Sequence, residues 1–278
     1  MSLLDVRGLT HMYLGGVTAL DGIDLTIKRG VRLAIVGANG AGKTTLLLHL
    51  NGTLKPSGGE ILMEGRAVGY KSTDLQAWRK RVGLVLQDAD DQLFAATVAE
   101  DVSFGPLNLG LSDDQARQRV RDALEALGIA DLADRPTHML SFGQKKRVAI
   151  AGAFAMQPEI ILMDEPTAGL DYQGTCALLA AMKTLEAAGT TLVFTTHDVD
   201  MAYGFAHEVA VFDHGKVLAQ GEVGEIFRDQ SVIDKAGLSI PLTLEIGLKA
   251  QSLGLLSATD ALPRNRAELL AMLENVQP

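Results

Sequence analysis

Two stretches of this 278-residue chain carry residue types and spacings suited to phosphate chemistry. The first is Gly37, Ala38, Asn39, Gly40, Ala41, Gly42, Lys43 and Thr44, which fits G-x-x-x-x-G-K-[ST] without a gap. It follows the apolar run Val31–Val36 and precedes the helix-like Thr45–Leu50. In a strand–loop–helix setting, glycines let backbone N–H groups turn inward around a phosphate, and the helix N-terminus favours its negative charge. Lys43 can reach the β- and γ-phosphates, and the Thr44 hydroxyl can ligate Mg²⁺. The second stretch is the apolar run Glu159–Met163, ending in Asp164 and Glu165. Side chains alternate along a strand, so the two acids point different ways. Asp164 is then the metal residue and Glu165 the general base that orients or deprotonates a water.

A third stretch, Leu140-Ser141-Phe142-Gly143-Gln144-Lys145-Lys146-Arg147, breaks a local rule. Ser141 is a natural N-cap, yet three consecutive cations stand near the start of the helix it opens. The helix dipole disfavours cations there, which points to an anion or an acidic partner close by.

These residues need a scaffold. The runs at 31–36, 82–86, 160–163 and 191–195 are almost wholly apolar rather than alternating. That pattern means strands buried on both faces, hence a parallel sheet covered by helices. Leu3–Leu9, Leu20–Ile27 and Glu60–Met63 read as further strands, and Val209–Phe212 with Lys216–Ala219 as a hairpin around His214-Gly215. Helices are expected at 42–50, 75–81, 112–127, 141–156 and 172–187. Ser112 and Gln115 have capping-box spacing, and Ala116, Val120, Ala123, Leu124 and Leu127 share one helical face. After about Arg228 the texture changes to short helical patterns interrupted by Gly and Pro, which suggests an appended helical unit.

Composition narrows the function classes. Hydrophobic residues make up 47%, which suits a globular α/β protein, and no apolar run approaches the ~20 residues of a membrane helix. The first residues lack the pattern of a secretory signal. A net charge of −9 speaks against nucleic-acid binding. The six histidines form no metal-ligand spacing, and the single Cys176 is expected on a helix facing the core, without chemistry.

Taken in order, these motifs resemble those of the ATP-binding subunits of ABC transporters, over roughly residues 3–225. The resemblance implies an α/β P-loop NTPase fold: a parallel core sheet, an antiparallel β subdomain and a helical signature subdomain. It implies ATP and Mg²⁺ as ligands. Tyr13 resembles the aromatic residue that stacks on adenine, with Val17 beside it. Gln87 resembles the glutamine that touches Mg²⁺ and senses the membrane partner, so Thr44, Gln87 and Asp164 form the metal set. Ser141, Gly143 and Gln144 match the family signature, Asp171 the loop that crosses a dimer interface, and His197 the switch histidine at the γ-phosphate. With Thr45, these complete the expected nucleotide site; Glu165 and His197 are its catalytic pair. Phe142 departs from the family's glycine, which puts the backbone approach to phosphate there in question, while Gly143 is retained.

Two stretches, Gln87–Phe94 running on through Thr97–Gly110 and Leu140–Gly152, look like the energy-coupling-factor branch, most like its cobalt/nickel subset. The resemblance implies an ATPase domain at 1–228 and a dimerising helical extension at 229–278. It implies a head-to-tail homodimer on the cytoplasmic face of the membrane, with a transmembrane coupling subunit and a substrate-binding membrane subunit as partners and no nucleic acid. Asp88, Asp90 and Asp91 are expected to meet arginines of the membrane partner, or else to form a solvated loop. The implied activity is ATP hydrolysis energising import of cobalt or nickel. The alternatives are a vitamin-type energy-coupling factor and a soluble ABC ATPase.

Overall fold

A computed structural model of the chain describes residues 2–257 and 259–274. The elements are β1 (Ser2–Met12), β2 (Thr18–Lys28), β3 (Leu33–Val36), α1 (Lys43–Leu50), β4 (Gly58–Met63), β5 (Arg66–Ala67), α2 (Ser72–Arg81), β6 (Val82–Val85), α3 (Val98–Asn108) and α4 (Asp113–Ala126). They continue with α5 (Phe142–Ala155), β7 (Ile160–Met163), α6 (Tyr172–Ala187), β8 (Thr191–Thr196), α7 (Val199–Phe205), β9 (Glu208–Asp213), β10 (Lys216–Glu222), α8 (Val223–Ile226), α9 (Gln230–Lys235), α10 (Leu242–Ser252) and α11 (Arg266–Glu274).

The central sheet has the order β10-β9-β3-β8-β7-β6, with β9, β3, β8, β7 and β6 parallel and β10 antiparallel at one edge. Its strands alternate between two cores. Ala34, Val36, Ile161, Met163, Leu192, Phe194, Val209 and Val211 pack into one cluster with α4, α5, α6 and α7. Leu33, Ile35, Ile160, Leu162, Val193, Ala210 and Phe212 pack into the other, against α1 and the second sheet. This is why the strands read as unbroken apolar runs: each face has its own layer to bury against. The second sheet is antiparallel, order β2-β1-β4-β5, and supplies Leu4, Val6, Leu9, Ile23 and Ile27 to the shared core.

The β9–β10 hairpin turns at His214 (φ 44°) and Gly215 (φ 74°), the double-positive geometry of a two-residue type I′ turn. Helix α4 has its Ser112–Gln115 capping box and buries Ala116, Val120, Ala123 and Leu124 as expected. Cys176 departs from expectation: it lies on α6 but is exposed. The buried stripe of α6 is Leu178, Ala181, Met182 and Leu185, and Cys176 falls off it. The segments after Arg228 share the main core rather than enclosing one of their own, because Ile233, Leu244 and Leu262 join the cluster containing α7. Arg264 fastens this segment by donating to the carbonyls of Tyr203 and Ala206.

Candidate functional site

The parallel strands deliver the candidate residues to one edge. The glycine loop follows β3, Asp164 and Glu165 follow β7, His197 follows β8, and Gln87 follows β6 by one residue beyond Leu86. These four strands are neighbours, so their carboxyl ends open on a common crevice, the usual ligand position of an open α/β sheet.

The loop's glycines are dictated by close approach. A Cβ on Gly37 would stand 2.4 Å from the Phe212 carbonyl oxygen, and one on Gly42 would stand 2.4 Å from that of Ala19. Gly42, at φ 103°, is the N-cap of α1, and no side chain caps the helix there. Its first N–H groups are therefore left without a side-chain acceptor, as an anion site requires. Lys43 is buried, and its ammonium folds back to donate to the carbonyls of Gly37 at 2.7 Å and Ala38 at 3.1 Å. Burial pushes its pKa down, opposed by the nearby carboxylates Glu165 and Asp164. Ala41 is buried beneath the loop, which leaves the hollow to Asn39, Gly40 and Lys43.

The two carboxylates diverge. Asp164 Oδ2 accepts from the Thr44 hydroxyl at 2.7 Å, and Oδ1 accepts from the Thr195 hydroxyl. Glu165 Oε1 lies 3.8 Å from Lys43 Nζ, and both its carboxylate oxygens lie 3.1 Å from His197 Nδ1. His197 thus meets Glu165, whereas Asp198 is spent capping α7 through the Met201 N–H. Glu165 has a φ of 43°, a left-handed conformation that costs about 1–3 kcal/mol in a non-glycine residue. Two bonds hold it there: its N–H donates to Thr195 Oγ1 at 2.9 Å, and its carbonyl accepts from Ala168 N–H at 3.1 Å. Thr195 therefore fixes both acids at once. The motif reading missed it; the available signal was a pair of threonines ending the apolar strand β8 just before His197.

Tyr13 and Val17 close the turn between β1 and β2, with Tyr13 N–H donating to the Val17 carbonyl at 2.9 Å. Both are substantially exposed, and the Tyr13 hydroxyl lies 3.1 Å from Thr45 Oγ1. Tyr13, Val17, Asn39, Gly40, Gly42, Lys43, Thr44, Thr45, Gln87, Asp164 and Glu165 line one cleft of about 440 Å³. An adjoining cleft of about 590 Å³ shares Thr44, Gln87 and Asp164 and reaches Phe142 and Gly169. Ser141, Gly143, Gln144 and Asp171 do not line the first cleft. Ser141 and Gln144 cap α5 reciprocally, and Asp171 caps α6 through the Gly174 N–H at 2.7 Å. Phe142 is the first residue of α5 and lies outside the positive-φ set, so it carries no backbone penalty.

Among the described residues, no group of three or more His, Cys, Asp or Glu side chains could hold a metal by itself. Mg²⁺ needs no such cage: one or two protein oxygens plus phosphates and waters complete its shell. The Thr44 hydroxyl and the Asp164 carboxylate meet beside the phosphate cradle, and Gln87 lines the same cleft, so the residues fit that ion.

Fold and crevice together define a P-loop nucleoside triphosphatase in which the Ser141 end of α5 stands outside the first cleft. The family profile described as ABC transporter matches residues 20–168. The cobalt import ATP-binding protein CbiO of Rhodobacter capsulatus is 56% identical over 271 residues, covering 98% of this chain and 97% of its own length. An energy-coupling factor transporter ATP-binding protein EcfA of Methanothermobacter thermautotrophicus is 45% identical over 244 residues, 88% of this chain and 78% of its own. Among solved structures, cbiO1 of Clostridium perfringens, part of the ABC transporter complex cbiONQ, is 43% identical, with a TM-score of 0.77, and covers 88% of this chain and 98% of that one. The chain belongs to the ATP-binding proteins of ABC transporters, which are ATPases coupled to transport.

Proposed function

We propose that this chain is the ATP-hydrolysing subunit of an energy-coupling-factor importer for a transition-metal ion, cobalt first and nickel second. The observation that carries the substrate is the 56% identity to CbiO across nearly the whole of both chains. The matches to EcfA proteins at 44–46% identity support the energy-coupling-factor class without naming a substrate, and a vitamin-type energy-coupling factor is the second reading.

In this reading one chain supplies two half-sites. The cleft at Lys43 takes ATP, with Tyr13 and Val17 against adenine and the α1 N-terminus on the phosphates. Ser141, Gly143, Gln144 and Asp171 lie outside that cleft, which suits a role on the nucleotide of a second copy in a two-fold head-to-tail dimer. Mg²⁺ held by Thr44, Asp164 and Gln87 would neutralise charge developing on the β- and γ-phosphates. Glu165 accepts the proton of the attacking water, and His197 holds the Glu165 carboxylate in line while facing the γ-phosphate. Thr195 keeps the backbone of Glu165 in the conformation that aims it.

The membrane partner docks, in this proposal, in a separate groove of about 720 Å³ lined by Leu84, Gln92, Phe94, Phe104, Ala149 and Met156 among others. Phe94 and Phe104 stack edge to face at 4.7 Å yet remain mostly exposed. The buried Asp101 accepts from the N–H groups of Phe94 and Ala95, both at 2.9 Å, and fixes that rim. No helix among the described residues is long and apolar enough to cross a membrane, and in this reading the chain reaches the cytoplasmic face by binding such a partner. The test is purification of the chain from gently solubilised native membranes, followed by cobalt uptake in cells lacking it. Co-purification of a coupling subunit and a metal-binding membrane subunit, with uptake lost, supports cobalt. A vitamin-binding membrane subunit moves the assignment to the second reading.

A further inference from the structure

The cation run near the start of α5 finds its partners inside the chain. Lys145 Nζ pairs with Asp90, one of the acidic residues expected to face a partner. Arg147 donates to the Gly128 carbonyl at 3.2 Å. Lys146 is different. It is fully buried, its ammonium donates to the backbone carbonyl of Gln87, and Phe142 stands 5.6 Å from it, ring centroid to Nζ. Burial lowers its pKa, while Asp164, Asp88 and Glu165 act to raise it. A buried ammonium carries a desolvation cost, and a Met of similar length would fill the space without it. Packing alone is therefore a poor reason for a lysine here.

Phe142 is seated on the loop after Glu165. A Cβ on Gly169 would stand 2.9 Å from the Phe142 ring, and one on Gly143 would stand 3.2 Å from Leu170. The phenylalanine that departs from the family pattern is thus a wedge between the Gly169 loop and the Lys146 ammonium. From there the path runs through the Gln87 carbonyl to Gln87, a residue that lines the cleft with Thr44 and Asp164.

We infer that Lys146 is a positioning residue for Gln87, and that Phe142 acts through it, so that the signature helix and the metal-facing glutamine of one chain move as one body. This rests on the reading of Gln87 as a Mg²⁺-facing residue in an ATPase. In the proposed dimer, the Ser141 end of α5 meets the second copy's nucleotide. The Lys146–Gln87 tie then links the two nucleotide sites to which one chain contributes.

The test uses the full-length chain, Lys146→Met, Phe142→Ala and the double variant. Nucleotide Kd is measured for ADP with and without Mg²⁺, alongside steady-state kcat. Without Mg²⁺, all Kd values stay within about twofold, because the glycine loop is untouched. The tightening that Mg²⁺ brings falls by about fivefold or more in Lys146→Met, and kcat falls by about tenfold or more, the scale of a sub-ångström misplacement. Phe142→Ala shifts both the same way by a smaller factor, and the double variant is no worse than Lys146→Met alone. An unchanged or enhanced Mg²⁺ effect in Lys146→Met overturns the inference, and so do multiplicative effects in the double variant. Should Lys146→Met not fold, Phe142→Ala, at a partly exposed position, decides: an undiminished Mg²⁺ effect overturns the inference. A wild-type chain that hydrolyses no ATP would instead refute the ATPase reading, so the two failures are distinct.

Discussion

Replacing Thr195 by Val removes one hydroxyl from a fully buried position while keeping side-chain volume nearly constant. That hydroxyl donates to Asp164 Oδ1 and accepts from the Glu165 N–H at 2.9 Å. Losing the bond to a carboxylate costs about 2 kcal/mol, and leaving a buried N–H without its acceptor adds about 1 kcal/mol. The sum, about 3 kcal/mol, corresponds to a fall in Tm of roughly 6–12 °C for a domain of this size. The catalytic effect follows from strain. Glu165 sits at φ 43°, and with its N–H released the backbone can relax toward a commoner conformation and carry the carboxylate off line. A displacement near 1 Å is worth up to about 100-fold in rate, so kcat should fall about 10–100-fold. Nucleotide affinity measured without Mg²⁺ should change little, because the glycine loop and Lys43 are untouched. Calorimetric melting, nucleotide binding and steady-state ATPase rates would be measured for Thr195→Val, with Thr195→Ser as the hydroxyl-retaining control. A Thr195→Val protein with wild-type Tm and kcat within twofold would refute the argument that this hydroxyl holds the two acids.

Glu165→Gln should bind ATP and lose about 10²–10⁴-fold in kcat, the usual worth of a general base, measured as phosphate release in single-turnover conditions; near-normal turnover removes Glu165 from that role. Lys43→Ala should weaken ATP binding about tenfold or more by equilibrium titration, the scale of a hydrogen bond to a charged group, and unchanged affinity would undermine the glycine-loop assignment. Burial holds the pKa of His49 below its ordinary value, and His49 Nδ1 lies 2.7 Å from the Thr45 carbonyl oxygen. The unfolded chain therefore takes up a proton at that site before the folded one does. This contribution to stability is complete above about pH 6.5 and is lost as pH falls through the lower folded value. Melting curves from about pH 7.5 to about pH 5 should show that acid loss, and His49→Gln should make it shallower; an unchanged slope would assign the loss to other groups.

Much of the site was legible because its chemistry is local in sequence. The glycine loop, Lys43 and Thr44 occupy eight consecutive positions, and their function depends on backbone turns that glycines at those positions permit. The all-apolar runs at β3, β7 and β8 foretold a sheet buried on both faces, and the two clusters that receive alternate residues are the reason. Helix α3 is not among the helices expected from the sequence, and it contains Gly105-Pro106, a pair that disfavours a helix interior. Its Thr97–Glu100 capping box and the burial of Val98 and Val102 outweigh that local penalty.

What the sequence could not specify are the pairings between distant segments. In the sequence the run Lys145-Lys146-Arg147 is three cations that point together to an anion or an acidic partner. Tertiary packing divides it into a surface pair with Asp90, a buried tie to Gln87 and a bond to the end of the α4 turn. Thr195 gains its role only because β8 lies beside β7, which brings its hydroxyl to Asp164 and Glu165 across thirty-one and thirty residues. Periodicity reports which face of an element is apolar. It carries no information about which polar atom of another element will arrive within 3 Å, and that distance decides whether a buried charge is a cost or a working part.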